Sequence, residues 1–270
     1  MFLFFNRVSF FHSDAFKDFC QWRKTLNGEK VLLADISQMD LACKKYKGRQ
    51  CFPTAVAMIA YCVSGHSPDK MQKIHFHEVL QEGTDLYDTL IQLIETSTHP
   101  NHVYTRNVWE RDENNRGLLS ISDFPTVMKI FNKDFQMNML NGYNESFHFP
   151  IDLMPSNEVA KLDQILLYST YFHQTLVDRK SLIEAFEIFS SHNCKYATLT
   201  IEAQTTALIK HEGKVFWADS HRTKLGAAAI FEFDNSLEFE KAIRRVIGHD
   251  RFDATYELQM IDMVPFNLNR

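Results

Sequence analysis

The feature that most constrains this fold is a stretch that is apolar almost all the way round a helix. Cys51-Phe52-Pro53-Thr54-Ala55-Val56-Ala57-Met58-Ile59-Ala60-Tyr61-Cys62 is closed by Gly65. A proline is tolerated in a first turn and a glycine suits a stop. A helix without a polar face has to be covered on every side. The chain therefore needs a core that can swallow the helix whole. Its 270 residues, 45% hydrophobic and with twenty-three phenylalanines, can build one. That length allows one large domain or two small ones.

Helical signals dominate the first two thirds. Residues 1 to 30 read as an irregular or helical lead-in, with Asp14 capping a short helix that carries Phe16, Phe19 and Trp22. Residues 31 to 50 look extended or loop-like and end in Lys44-Lys45-Tyr46-Lys47-Gly48-Arg49. A second helix is expected from Thr84, where Leu86, Leu90, Leu93 and Ile94 recur at helical spacing. Residues 98 to 120 read as a polar loop, and Ser122 as the cap of a helix through Val127 and Ile130. Asn-Gly and two prolines make 135 to 156 hairpin or irregular. Residues 158 to 176 and 181 to 191 look helical, the latter on a stripe of Leu182, Ala185, Phe186 and Phe189.

The pattern then changes to strands. Tyr196 to Ile201, Ala207 to Lys210, Val215 to Ala218, Ala228 to Phe233 and Tyr256 to Val264 are β-type runs, with Glu212-Gly213 as a hairpin turn. Asn235-Ser236-Leu237-Glu238 resembles a capping box for a helix carrying Phe239, Ile243, Val246 and Ile247. Helices first and strands later is an α+β order.

Several functions find no support. A net charge of -5 does not favour nucleic-acid binding. The five cysteines are odd in number and contain no CxxC, which argues against a disulfide scaffold or zinc site and for reduced thiols in a cytoplasmic or nuclear setting. Met1 to Phe5 is apolar but is interrupted by Asn6 and Arg7, too short for a signal peptide or membrane span. His75-x-His77 lacks an evident third ligand, so neither metal nor cofactor is expected.

Thiol chemistry remains. A helix N-terminus stabilises a thiolate, and Cys51 is the one cysteine placed just before a strong helix. From position alone, a small buried residue is the commoner explanation. Among twelve histidines His221 stands out, because an apolar strand runs into Asp219-Ser220-His221. Residues two apart in extended chain share a side, so Asp219 could orient the His221 ring. A turn-forming Asp beside a surface His would look the same.

Three blocks add a resemblance. Gly48-Arg49-Gln50-Cys51 is similar to the Gly-x-Gln-Cys of the deubiquitinase domain in herpesvirus large tegument proteins and of related tegument-like deubiquitinases. Gln38, thirteen residues before Cys51, matches the spacing of that family's oxyanion-hole glutamine. Ala207-Leu208-Ile209 and Val215-Phe216-Trp217-Ala218-Asp219-Ser220-His221 resemble its strand pair leading into Asp-Ser-His, before Gly226 and Ala227 to Ile230. The likeness runs from about residue 31 to 265. Phe52-Pro53-Thr54 and Ala218 depart from the family pattern, and residues 1 to 30 have no counterpart in it.

The resemblance implies a papain-like cysteine protease over residues 31–270, behind an extension of residues 1–30. The nucleophile helix would pack on a C-terminal antiparallel sheet. It implies Cys51 as nucleophile, His221 as base, Asp219 as its orienting partner and Gln38 as oxyanion donor, with Gln50 and Trp217 beside the substrate. The partner would be ubiquitin or a polyubiquitin chain and the enzyme a monomer. A protease for a ubiquitin-like modifier such as NEDD8, an inactive ubiquitin-binding module and a transglutaminase-like acyltransferase are the alternatives.

Overall fold

The computed structural model describes residues 22–25, 28, 30–140, 149–150, 182–201, 203–223, 225–247 and 255–266. The all-round apolar segment is helix α1, Cys51–Val63, in which every residue from Cys51 to Tyr61 is buried. It lies between helix α2, Lys73–Thr96, and a sheet. The expected helix start at Thr84 is corrected: α2 begins at Lys73 and passes straight through Gly83 and Thr84. At Gly83 the two helices approach closely, since a Cβ there would sit 2.5 Å from the Thr54 Cα. The Thr84 hydroxyl donates back to Leu80 O at 3.0 Å instead of capping a new helix.

Two further expectations fail nearby. The polar stretch 98 to 120 contains helix α3, Pro100–Arg111, with Pro100 in its first turn and His99 Nδ1 accepting from Asn101 N at 3.3 Å. The helix expected behind Ser122 is a hairpin: a short 3-10 turn, Ile121–Asp123, leads into β3, Val127–Ile130, and β4, Lys133–Met139. Phe131 and Asn132 turn it with φ of 50° and 58°, the left-handed pair a two-residue hairpin turn needs, without a glycine to announce it.

The remaining strands are β1 (Arg23–Lys24), β2 (Lys30–Leu33), β5 (Phe149–Pro150), β6 (Tyr196–Ile201), β7 (Gln204–His211), β8 (Lys214–Asp219), β9 (Ala229–Phe233) and β10 (Thr255–Pro265). They join one antiparallel sheet in the order β1-β2-β9-β8-β7-β6-β10-β4-β3, with β5 paired to β10. Every expected late strand is present, and Glu212-Gly213 makes the β7–β8 turn with φ of 49° and 78°. The sheet also draws in β1 to β4 from earlier in the chain, so it is not confined to the C-terminal part. Strand β1 lies before residue 31, so pairing crosses the expected boundary. The expected helix behind Asp14, carrying Phe16 and Phe19, and the one at 158 to 176 fall outside the described residues. Trp22 stands edge-on to Phe216 at 5.9 Å.

Both faces of the sheet are covered. Ala207, Ile209, Phe216, Ala218 and Ile230 pack toward α1 and α2. Leu208, Val215, Trp217, Phe231 and Phe233 pack the other way, with helices α4 (Leu182–Ser191) and α5 (Ser236–Ile247). Burial on both sides explains why the central strands read as continuous apolar runs instead of alternating ones. Half of the expected box at the start of α5 forms: Asn235 Oδ1 accepts from Glu238 N at 3.0 Å, while the Glu238 carboxylate reaches one residue further back and accepts from Asp234 N at 3.0 Å. Among the described residues no helix is long and apolar enough to cross a membrane.

Candidate active site

Three distant segments meet at the N-terminus of α1. The first follows β2. Pairing of β2 with β9 continues past the strand ends, as Ala34 N donates to Ala228 O and Ala228 N to Ile36 O. That path carries Gln38 to the end of β8, where its backbone N–H donates to Ser220 O at 2.9 Å. Asp40 steadies the bend by accepting from Ser37 N at 2.8 Å and from Arg222 Nη2 at 2.9 Å. The Ser37 hydrogen bonds, with help from Arg222, hold its carboxyl below the usual range.

The second segment is Gly48 to Cys51. Gly48 adopts φ 88°, and a Cβ on it would strike the Met39 sulfur at 2.4 Å. The left-handed φ is what reserves position 48 for glycine, since the exposed Met39 side chain could move aside. Gln50 folds back so that its Oε1 accepts from Gly48 N at 2.7 Å and its Nε2 donates to Gln38 O at 3.4 Å. Cys51 opens the helix, 4% exposed, its Sγ 3.7 Å from the Ala203 carbonyl at the β6–β7 turn.

The third segment is the end of β8. Asp219 Oδ1 accepts from His221 Nδ1 at 2.6 Å and from the His221 backbone N–H at 2.9 Å. The carboxylate is nearly enclosed, while the imidazole keeps 16% of its side chain exposed. The ring also acts on the Cys51 thiol. Burial alone would raise that thiol's pKa, but the hydrogen bond and charge of His221 more than offset it, and the net direction is down. Burial alone would lower His221, yet Asp219 and Cys51 push it up to about 10. The pair therefore favours thiolate and imidazolium.

Other thiols behave oppositely. Burial pushes Cys62 up to about 12 and Cys43 up to about 11, and raises Cys194. Among the described cysteines only Cys51 is lowered. The histidine pair weighed for metal binding is occupied: His75 Nδ1 accepts from Gln72 N and His77 Nε2 from Asp35 N. Among the described residues no group of three or more His, Cys, Asp or Glu could hold a metal ion.

The structure brings Cys51, His221, Asp219 and Gln38 together, and it buries Gln50 and Trp217, the two residues expected beside the substrate. Gln50 is fully buried and its amide is spent on Gly48 and Gln38. Trp217 is 1% exposed, stacked on Phe231 at 5.2 Å on the face of the sheet away from α1. Sequence reasoning gave Ser220 no role, although its hydroxyl donates to Gln38 Oε1 at 2.7 Å. The signal was available in the period of two that puts 219 and 221 on one side and 220 on the other.

No protein-family model and no curated protein matches the chain. Among solved structures, it is similar to the ubiquitin-specific protease encoded by a murine cytomegalovirus tegument protein, crystallised in complex with a ubiquitin-based suicide substrate. The TM-score is 0.62 at 14% identity, over 89% of this chain and 88% of that one. At that identity the likeness concerns the fold.

Proposed function

We propose that this chain is a papain-like cysteine protease that hydrolyses the peptide or isopeptide bond after the C-terminal glycine of ubiquitin. The observation that carries the reading is the lowered Cys51 thiol facing a raised His221, the imidazole being held by Asp219. The fold's likeness to a viral ubiquitin-specific protease supports ubiquitin as the substrate.

The thiolate of Cys51 attacks the glycine carbonyl, and the imidazolium of His221 gives its proton to the departing lysine amine. A thioester to Cys51 results. Water then attacks it, with His221 taking the proton, and the thiolate is released. Asp219 keeps the ring in the tautomer that presents Nε2 to the sulfur. The Gln38 Nε2 and the Cys51 backbone N–H face the oxyanion. Gln38 Nε2 carries two hydrogens, and Gly48 O, at 3.0 Å, takes one. Residues 31–270 form the catalytic unit, with β1 as an added edge strand. A thiolate enzyme of this kind suits a reducing, cytoplasmic or nuclear setting.

The test is reaction with ubiquitin carrying a C-terminal electrophile. A covalent adduct is expected in the wild type and absent in Cys51→Ala. An unreactive ubiquitin probe together with a reactive NEDD8 probe would move the substrate to the ubiquitin-like modifier. No adduct with either would overturn the protease reading.

A further inference from the structure

Gln38 poses a question that the reaction itself does not answer. A carboxamide turned by half a circle occupies nearly the same space, but presents oxygen where nitrogen was. Only one of the two orientations offers an N–H to a developing oxyanion. Something has to select it.

Two neighbours touch the amide. Gly48 O can only accept, so it draws Nε2 to its side, at 3.0 Å. On the other side the Ser220 hydroxyl meets Oε1 at 2.7 Å. Gln38 is wholly buried and Ser220 is 4% exposed, so both contacts are made within the protein. Without a donor, a buried Oε1 would be left unpaired, and the carboxamide would turn away to find one. The backbone link from Gln38 N to Ser220 O does not involve the hydroxyl and would keep the loop in place.

We propose that Ser220 is a positioning residue for the reaction: its hydroxyl fixes the orientation in which the Gln38 amide serves the oxyanion, while its neighbours Asp219 and His221 serve the proton. This rests on the protease reading above. One tripeptide then sets both halves of the chemistry, with residues 219 and 221 facing the thiol and residue 220 facing the oxyanion donor.

The experiment separates chemistry that forms an oxyanion from chemistry that does not. Hydrolysis of a fluorogenic C-terminal amide of ubiquitin passes through a tetrahedral oxyanion. Alkylation of Cys51 by iodoacetamide is a displacement at carbon and does not. Wild type, Ser220→Ala, Gln38→Ala and the double variant are compared in both, with Ser220→Thr as the variant that retains a hydroxyl and thermal melting as the check on folding. Loss of an oxyanion donor outright costs roughly 10²–10³ in turnover, so Ser220→Ala should lower kcat by about ten- to a hundredfold. KM and the pH profile of alkylation should not move. In the Gln38→Ala background the Ser220 change should add little, because the amide it orients is gone, and threonine should restore part of kcat if it folds. An unchanged kcat in Ser220→Ala would overturn the inference. So would alkylation slowed as much as hydrolysis, or effects that add in full. A wild type that alkylates at Cys51 yet hydrolyses no ubiquitin amide would overturn the protease reading itself.

Discussion

Strand β8 ends in two kinds of burial that lie two residues apart. At Asp219 and Ser220 the buried groups are polar, and each has a named partner: His221 for the carboxylate and Gln38 for the hydroxyl. At Trp217 the buried group is aromatic, stacked on Phe231 and edge-on to Phe239 at 6.2 Å, and its indole N–H has no hydrogen-bond partner among the described residues. The first region is specified by direction, because a hydrogen bond fails when an atom is turned or exchanged. The second is specified by volume, because apolar packing has no preferred partner. A change of one atom should therefore be severe on the polar side and mild on the aromatic side, and deletion of a whole ring should reverse the order for stability.

The sharpest way to break this contrast is Asp219→Asn, which keeps the shape and alters the direction of one proton. The proposed enzyme should lose about 10⁴ in kcat, by analogy with tautomer loss in a serine protease triad, with little change in melting temperature. An activity loss under tenfold would mean that Asp219 does not orient the ring. Phe239→Ala should show the converse. It removes a fully buried ring that stacks on Phe186 at 4.1 Å, and should cost roughly 3–5 kcal/mol of stability while turnover per folded molecule holds. A large drop in specific activity would show that the two faces are coupled.

Gly83→Ala tests a third situation, in which backbone meets backbone. Alanine is the better helix former by about 1 kcal/mol, but its Cβ would lie 2.5 Å from Thr54 Cα. Separation of α1 from α2 should outweigh the gain and destabilise by roughly 1–3 kcal/mol. A rise in melting temperature would show that the helices have room to part.

The smallest effect at neutral pH comes from titration. His221 is raised to about 10, so its imidazolium persists through neutrality, while Cys51 is shifted down toward the thiolate. Activity of the proposed enzyme should decline as pH rises through about 10, where the His221 imidazolium assigned as its acid is lost. In Asp219→Asn that alkaline edge should move down toward the ordinary histidine value. A wild-type edge already near that value would remove Asp219 from the account.

Legibility in the sequence followed the same divide. Cys51, Asp219 and His221 could be read because residue type, helix position and a period of two are all local. Gln38 entered only through a resemblance in spacing. Gln50 was assigned to the substrate because no local rule says that its amide folds back onto Gly48 and Gln38. Trp217 was assigned there because alternation puts it on the same side of β8 as Asp219, but two residues further into the strand that side is packed core, where Trp217 stacks on Phe231. Helix α2 lost its first half because Gly83-Thr84 imitates a stop followed by a cap, and only the proximity of Thr54 explains the glycine. The β3–β4 hairpin was taken for helix because Phe131-Asn132 adopts a glycine-like turn without a glycine. Helix α3 was hidden by its polar surface, although Pro100 marked its first turn.

The clasp between Gln38 and Ser220 spans 182 residues of chain, and so does the pair of Arg222 with Asp40. Contacts of such separation close long loops, whose entropic cost has to be met before they reward the fold. During synthesis Cys51 leaves the ribosome long before β8 and β9 exist to bring it a base. If Cys51 is the nucleophile of the proposed enzyme, its thiol is latent on the nascent chain until the sheet is complete.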